Sequence, residues 1–373
     1  MGNKLKYSLV AGGLLLAGVV ALARSAAFGQ LPSSEDLNRY QQSPHFDAEA
    51  GIFVNRRPGI VKAMRKSTMT FGKVIKQMRQ ASPDVTPHQP LPTVQPDFKA
   101  FQTPDEDLKA LWLGHSSILL SIARQRVLID PVLAPYNGPL GFLMRRFQAP
   151  VVLPEALPPI DLILITHDHY DHLDMATIKA FRETATRFMV PLGVSAHLKR
   201  WGIAAERIQE LDWWQSARFN GLDIVATPAQ HFSGRHVVQQ NRSLWASWVI
   251  QSPQHRVYFS GDSGYDEHFQ AIGTAFGPFD VAFIESGQYS PLWPQVHLHP
   301  HESLQAFKDL NAQRYFPIHW GMFRLSTHAW YEPIRRLTAE AKRQGIVLVA
   351  PKMGEVAILN GEAPPEPWWE DVL

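Results

Sequence analysis

The short apolar run Leu162–Ile165 leads directly into Thr166-His167-Asp168-His169-Tyr170-Asp171-His172. This junction constrains the chain more than any other stretch. An apolar run of that length reads as a strand buried on both faces. It delivers three imidazoles and two carboxylates, Asp168 and Asp171, to the loop at its end. A purely structural loop gives no reason to pack such side chains together. Imidazole nitrogen and carboxylate oxygen suit zinc, iron or manganese. The i, i+2 spacing lets His167 and His169 grip one ion on an extended turn, while Asp171 and His172 point away and begin a second site. Two metals need further ligands from elsewhere in the chain.

Candidates for those ligands also follow strand-like runs. His231 comes after Leu222–Thr227, Asp262 stands in Ser260-Gly261-Asp262-Ser263-Gly264-Tyr265 after Arg256–Ser260, and His319 stands in Pro317-Ile318-His319-Trp320-Gly321 after Tyr315–Ile318. Singly each is weak, because a histidine after a strand is often structural and Gly-Asp-Ser-Gly is often a turn. Their shared setting is what groups them. The chain has no Cys, which removes disulfides, thiolate metal sites, iron–sulfur clusters and Cys nucleophiles. A metal therefore has to sit on carboxylates and on some of the 16 His. Lys plus Arg is 36 against 34 for Asp plus Glu, a formal charge of +2, which argues against a nucleic-acid binder because it supplies no basic excess to release counterions.

With 373 residues, 45% apolar and 19% charged, the chain can bury a core without staples. Residues 1–27 read as a signal peptide or membrane anchor. Lys4 and Lys6 precede the uncharged stretch Leu9–Ala23, and Ala21-Leu22-Ala23 offers a small-x-small cleavage site. Such a segment places the protein in the cell envelope, either periplasmic or secreted, or held on the inner membrane. Residues 28–105 form an N-terminal extension. Its basic section Val61–Arg79 predicts one or two short helices, lying on an anionic membrane or simply solvated. A proline-rich arm follows, with Pro83, Pro87, Pro90, Pro92, Pro96 and Pro104. Residues 106–363 alternate runs of strands with helices, and 364–373 read as a tail. That order predicts an α/β protein of two face-to-face sheets with helices outside. No internal repeat is visible by eye.

The set H-D-H-Y-D-H, His231, G-D-S-G-Y and P-I-H-W-G resembles the metallo-β-lactamase-fold hydrolases. Within them it is similar to the branch of N-acyl-phosphatidylethanolamine-hydrolysing phospholipase D. Trp112–Ser117, Ile129–Pro131, Thr166–Asp174 and Glu285–Tyr289 add to the likeness, which spans roughly Leu111 to Leu359. The resemblance implies an αββα sandwich with a site on one edge. It implies two Zn2+ or other divalent ions, the first on His167, His169 and His231 and the second on Asp171, His172 and His319, with Asp262 and a shared hydroxide between them. It assigns Asp171 and His297 to catalysis, His297 near the leaving group. His299 stands where the family has an Asp or Asn N-cap, which weakens that helix start, and a third metal at His297, His299 and His301 is conceivable.

Other readings stay open on the residues alone. Asp130 either orients a ligating histidine or forms a turn before Pro131, and His115 either faces the site or sits in the core. Trp213, Trp214 and Trp293 line an apolar groove or belong to the core. Pro139–Phe147, with Arg145 and Arg146, dips into a membrane or packs as a loop. The function implied is a metal-dependent phosphodiesterase acting on N-acylphosphatidylethanolamine-like phospholipids at a membrane surface, with no nucleic-acid partner. The alternatives are a lactone or amide hydrolase using the same dinuclear site, and a non-enzymatic metal-binding protein of the envelope. The sequence leaves the oligomeric state open.

Overall fold

Strands such as Ile118–Ile122 and Val281–Glu285 are buried at every position, and a strand buried on both faces needs cover on both sides. The computed structural model supplies that cover with two stacked sheets and outer helices. It describes residues 25–68, 70–102, 108–139, 144–235, 239–361 and 367–373. Most of the expected signal or anchor segment, residues 140–143 of the apolar–arginine loop, and His236 lie outside the described residues. Among the described residues no helix is long and apolar enough to cross a membrane.

The strands of the two large sheets are β1 (Lys109–Trp112), β2 (Ile118–Ile122), β3 (Gln125–Ile129), β4 (Leu162–Leu164), β5 (Arg187–Pro191), β6 (Ile208–Leu211), β7 (Ser216–Phe219), β8 (Leu222–Thr227), β9 (Ser247–Gln251), β10 (Arg256–Phe259), β11 (Val281–Glu285), β12 (Arg314–Ile318), β13 (Val347–Leu348) and β14 (Val356–Ile358). One sheet runs β6-β5-β4-β3-β2-β1-β14, the other β7-β8-β9-β10-β11-β12-β13. In each, the pairings are antiparallel as far as one central strand, β3 or β10, and parallel beyond it. The two sheets thus share one pattern of strand direction, a repetition that the residues themselves conceal. Parallel register aligns the strand ends, with Ile129 beside Leu164 and Glu285 beside Ile318.

Alternation along each strand sorts side chains into layers. Trp112, Ile118, Leu120, Val127, Ile129, Leu162 and Leu164 meet Ile224, Ala226, Trp248, Ile250, Val257 and Phe259 between the sheets. On the outer face of the first sheet, Leu111, Leu119, Leu128, Ile163 and Phe188 pack against Ile178, Phe181, Leu198 and Trp201. β6 and β7 are sheet edges with polar residues, and such short edges show no clean alternation. The helix His268–Phe276 carries Gly273 in its middle. A Cβ on Gly273 would stand 2.0 Å from the Asp309 carbonyl oxygen, so this glycine permits close approach of the helix Pro300–Asp309.

The first described residues and the C-terminal stretch are both built into the domain. Arg235, buried in the core, donates to the Ala27 carbonyl, and the Trp201 indole donates to Ala26 at 2.7 Å. At the other end Trp368 and Trp369, in the stretch read as a tail, are 2% and 1% exposed. Trp368 continues a ladder of indoles, with Trp112 stacked on Trp320 at 5.0 Å and Trp320 on Trp368 at 5.6 Å. Trp368→Ala should therefore destabilise the protein by about 3–5 kcal/mol, read as a lowered midpoint in equilibrium denaturant unfolding; an unchanged midpoint would mean the C-terminal indoles are not part of the core.

Candidate metal centre

Six loops open at the same edge of the sandwich, following β1, β3, β4, β8, β10 and β12. Three of them turn sharply just past the strand on a left-handed residue: His115 (φ 53°), Asp130 (φ 44°) and His319 (φ 66°). Non-glycine residues in that region carry a conformational cost of roughly 1–3 kcal/mol and gather at functional sites. Here the turn aims each side chain back over the strand ends.

The structure brings all seven expected ligands together. His167 Nε2 lies 2.9 Å from His169 Nδ1, and His231 Nε2 lies 3.2 Å from that same nitrogen. Asp262 Oδ2 is 3.8 Å from His167 Nε2 and 3.6 Å from His231 Nε2. On the other side, Asp262 Oδ1 is 3.1 Å from His172 Nε2, and Oδ2 is 3.1 Å from His319 Nε2. Asp171 Oδ2 approaches His172 at 3.6 Å and His319 at 3.4 Å. Ligand atoms of His167, His169, His231 and Asp262 form one compact group, and those of Asp171, His172, His319 and His115 another. Asp262 touches both.

The outer atoms of these rings are tied down and the inner ones are not. His172 Nδ1 donates to Asp130 Oδ2 at 2.7 Å, and the Asp130 carboxylate also accepts from the Thr166 backbone and hydroxyl. Asp130 thus orients a histidine. His231 Nδ1 donates to the Val296 carbonyl at 2.9 Å, and the His231 backbone is clamped in both directions by the Asn55 amide. Yet His172 Nε2, His319 Nε2 and Asp262 Oδ1 are buried with no hydrogen-bond partner. Buried polar atoms left unpaired in this way cost free energy, and a bound cation removes that cost. The donor set of imidazoles and carboxylates fits divalent ions such as zinc.

Charge distribution agrees with that fit. Burial holds His167 and His231 well below the usual histidine range, so their lone pairs stay free. Burial opposes charge on His172 and His319 too, but Asp262 and neighbouring carboxyl groups outweigh it, raising His319 to about 10. Burial would also raise Asp171 and Asp262, yet the surrounding imidazoles hold both well below the carboxylate range. The pocket is built around buried negative charge that calls for positive charge beside it.

Some expectations need correction. Asp168, counted with the cluster in the sequence, turns away to accept from Gly234 N, the Ser243 hydroxyl and His197. His115 faces the site, its Nε2 3.0 Å from Asp171 Oδ2. Glu285, noted only as part of a matching phrase, is fully buried and takes a hydrogen bond from His297 Nδ1 at 2.7 Å and from Ser263 N at 2.6 Å. Its position at the end of an apolar strand beside Asp262's loop is the signal that was available. His299 keeps its helix start after all, because Glu302 accepts from its backbone N–H at 2.8 Å. Among the described residues no compact ligand group joins His297 to His299 and His301. Trp213 lies in the core, and Arg146 donates to the Ala134 carbonyl at 2.8 Å. A cavity of about 830 Å³ near Pro154, Asp161 and Arg187 lies at the opposite strand ends and holds none of these ligands.

A sequence model of the Beta-lactamase superfamily domain matches residues 125–320, more than half of the chain. The chain belongs to the metallo-hydrolases of this superfamily. Among its relatives is an uncharacterized protein of Mycobacterium tuberculosis, 38% identical over 88% of both chains. The N-acyl-phosphatidylethanolamine-hydrolyzing phospholipase D 1 of Caenorhabditis elegans is 35% identical over 62% of this chain and 69% of its own. A solved metallo hydrolase from Ignicoccus hospitalis shares the fold, with a TM-score of 0.51 at 22% identity over 67% of this chain and 97% of that one.

Two substitutions in this metallo-hydrolase separate a ligand from its support. His169→Ala should abolish binding of one equivalent of metal, whereas Asp130→Asn should leave both sites present and weaken affinity by roughly 10–100-fold. Metal titration followed by calorimetry checks both, and full stoichiometric binding by His169→Ala would remove His169 from the ligand set.

Proposed function

We propose that this metallo-hydrolase is a phosphodiesterase of phospholipase D type, cleaving N-acylphosphatidylethanolamine-like lipids into a phosphatidic acid and an N-acylethanolamine. The observation that carries the reading is the convergence of imidazole nitrogens and carboxylate oxygens on both sides of Asp262, with His172 Nε2, His319 Nε2 and Asp262 Oδ1 buried and unpartnered among the described residues. The similarity to a relative bearing that activity in its name supports the substrate class. The charged stretch before Leu9–Ala23 supports a place at the cell envelope.

His167, His169 and His231 would hold one ion and Asp171, His172 and His319 the other, with Asp262 shared; zinc suits this set. When bound, such a pair supplies a hydroxide near neutral pH and neutralises charge that develops on phosphoryl oxygens. The chain's own residues do the rest. Asp130 keeps His172 in the tautomer whose Nε2 lone pair faces inward. Asp171, held ionised, carries negative charge between His115, His172 and His319. Glu285 accepts from His297 Nδ1, which leaves Nε2 for a proton exchanged with the departing alcohol. His297 is only partly buried, so a substrate can reach it.

Elemental analysis should find two equivalents of divalent metal, and chelation should abolish hydrolysis of a p-nitrophenyl phosphodiester, restored by zinc. Hydrolysis of lactones or β-lactams in place of phosphodiesters would overturn the substrate class, and equal activity with and without chelator would overturn the metal mechanism. His297→Ala should retain the metal and lower kcat by about 10²–10⁴-fold, the usual contribution of a general acid; unchanged kcat on lipid would make His297 a bystander.

A further inference from the structure

Between Glu49 and Asp84 the chain has no acidic residue and eight basic ones: Arg56, Arg57, Lys62, Arg65, Lys66, Lys73, Lys76 and Arg79. All eight are exposed. Among the described residues none pairs with a carboxylate, although Arg65 donates to the Gln240 side chain at 3.1 Å. Six of them lie on two consecutive helices, Ile60–Thr68 and Phe71–Arg79.

The two helices dispose of their apolar faces differently. The first buries Ile60 and Met64 against Val296, beside Phe232 and Trp293. The second buries nothing. Its apolar residues Phe71, Val74, Ile75 and Met78 recur at i, i+3, i+4 and i+7, a single stripe along the helix. Phe71 is 77% exposed and Met78 66% exposed. A stripe of this kind flanked by lysine and arginine is the composition of a helix that lies in a bilayer interface.

Its place in the fold gives that composition a use. Phe232 touches the His169 ring at 4.6 Å, and Val296 accepts from His231 and precedes His297. The second helix is fastened by Gln77 to the Thr327 hydroxyl at 2.6 Å, and Ser82 N to the Thr327 carbonyl at 2.9 Å. The hairpin is therefore attached to the loops that carry His231, His297 and His319.

We propose that this helical hairpin docks on an anionic phospholipid bilayer, sinking Phe71 and Met78 among the acyl chains and setting its cations against the headgroups, so that the metal centre opens at headgroup depth. The proposal rests on the lipid-substrate reading above and names the surface from which that substrate is drawn. Charge complementarity selects the partner, because eight cations on one short stretch, without a carboxylate partner among the described residues, favour an anionic surface over a zwitterionic one.

The test uses the full chain with two variants, Lys73→Glu/Lys76→Glu/Arg79→Glu and Phe71→Ser/Met78→Ser, all at exposed positions. Partitioning is measured on substrate-free vesicles of phosphatidylcholine alone and of phosphatidylcholine mixed with phosphatidylglycerol. Any contribution of residues 1–24 is common to all three proteins. Wild type should prefer the anionic vesicles, and the charge variant should lose on the order of a hundredfold in affinity for them, at several-fold per basic residue. The apolar variant should weaken binding to both vesicle types, and both variants should keep wild-type rates on a soluble phosphodiester. Equal partitioning of wild type and charge variant would overturn the proposal, as would equal partitioning with retention on an acidic polysaccharide lost in the variant, which would assign the patch to a soluble polyanion. Absence of phosphodiesterase activity in all three proteins would refute the lipid-substrate reading while leaving the vesicle result to decide the hairpin.

Discussion

Two carboxylates, Asp171 and Asp262, lie buried at the open edge of the sandwich with their negative charge turned toward a ring of imidazoles. Removing such charge from water is expensive unless it is compensated on the spot. Everything around the site serves that compensation. The imidazoles offer nitrogens on the inside, and cations shared between those nitrogens and the carboxylates satisfy both at once. Folding and metal binding in such a centre are coupled, because the candidate ligands meet only when four separate loops are in place.

Holding those loops requires a rigid frame. The parallel register of β3 with β4 and of β10, β11 and β12 brings strand ends level, and the left-handed residues just past them turn the side chains inward. Outward-facing polar clusters then fix the loops from behind. Asp168 collects Gly234, Ser243 and His197, while Arg235 ties the Asp168 and Leu173 carbonyls to Ala27. The N-terminal extension is part of the same frame, since Asn55 clamps the backbone of His231 from 176 residues away in sequence. Supports of this kind orient metal ligands and tune their affinity.

The family shows the chemistry to be metallo-hydrolysis, and the surroundings of the site support the proposed lipid substrate. The rim near His231 and His297 is apolar through the partly buried Phe232 and Trp293, and it adjoins the two cationic helices. An apolar rim beside positive charge matches the two halves of a phospholipid, tail and phosphate. Glu285 links two parts of the site. A carboxylate at the end of a fully buried strand anchors His297 and the loop of Asp262 together, so the two side chains keep a common reference.

The candidate ligands were legible in the sequence because metal chemistry demands particular side chains at strand ends, and H-x-H-x-D-H after an apolar run has few other uses. The layered α/β class was legible for a similar reason, since runs of buried strands must be covered on both faces. Other features depended on contacts between residues far apart in the chain. Asp168 and Asp171 are chemically alike and three residues apart, and only the path of the loop sends one outward to His197 and the other inward to His319. Edge strands β6 and β7 exist because neighbours pair with them rather than because their residues insist on it. Trp368 and Trp369 touch each other but become core only when the C-terminus meets Trp320. Local chemistry thus determined which atoms can bind a cation, and long-range packing decided which of them face one another, because orientation in a buried site is set by the backbone that surrounds it.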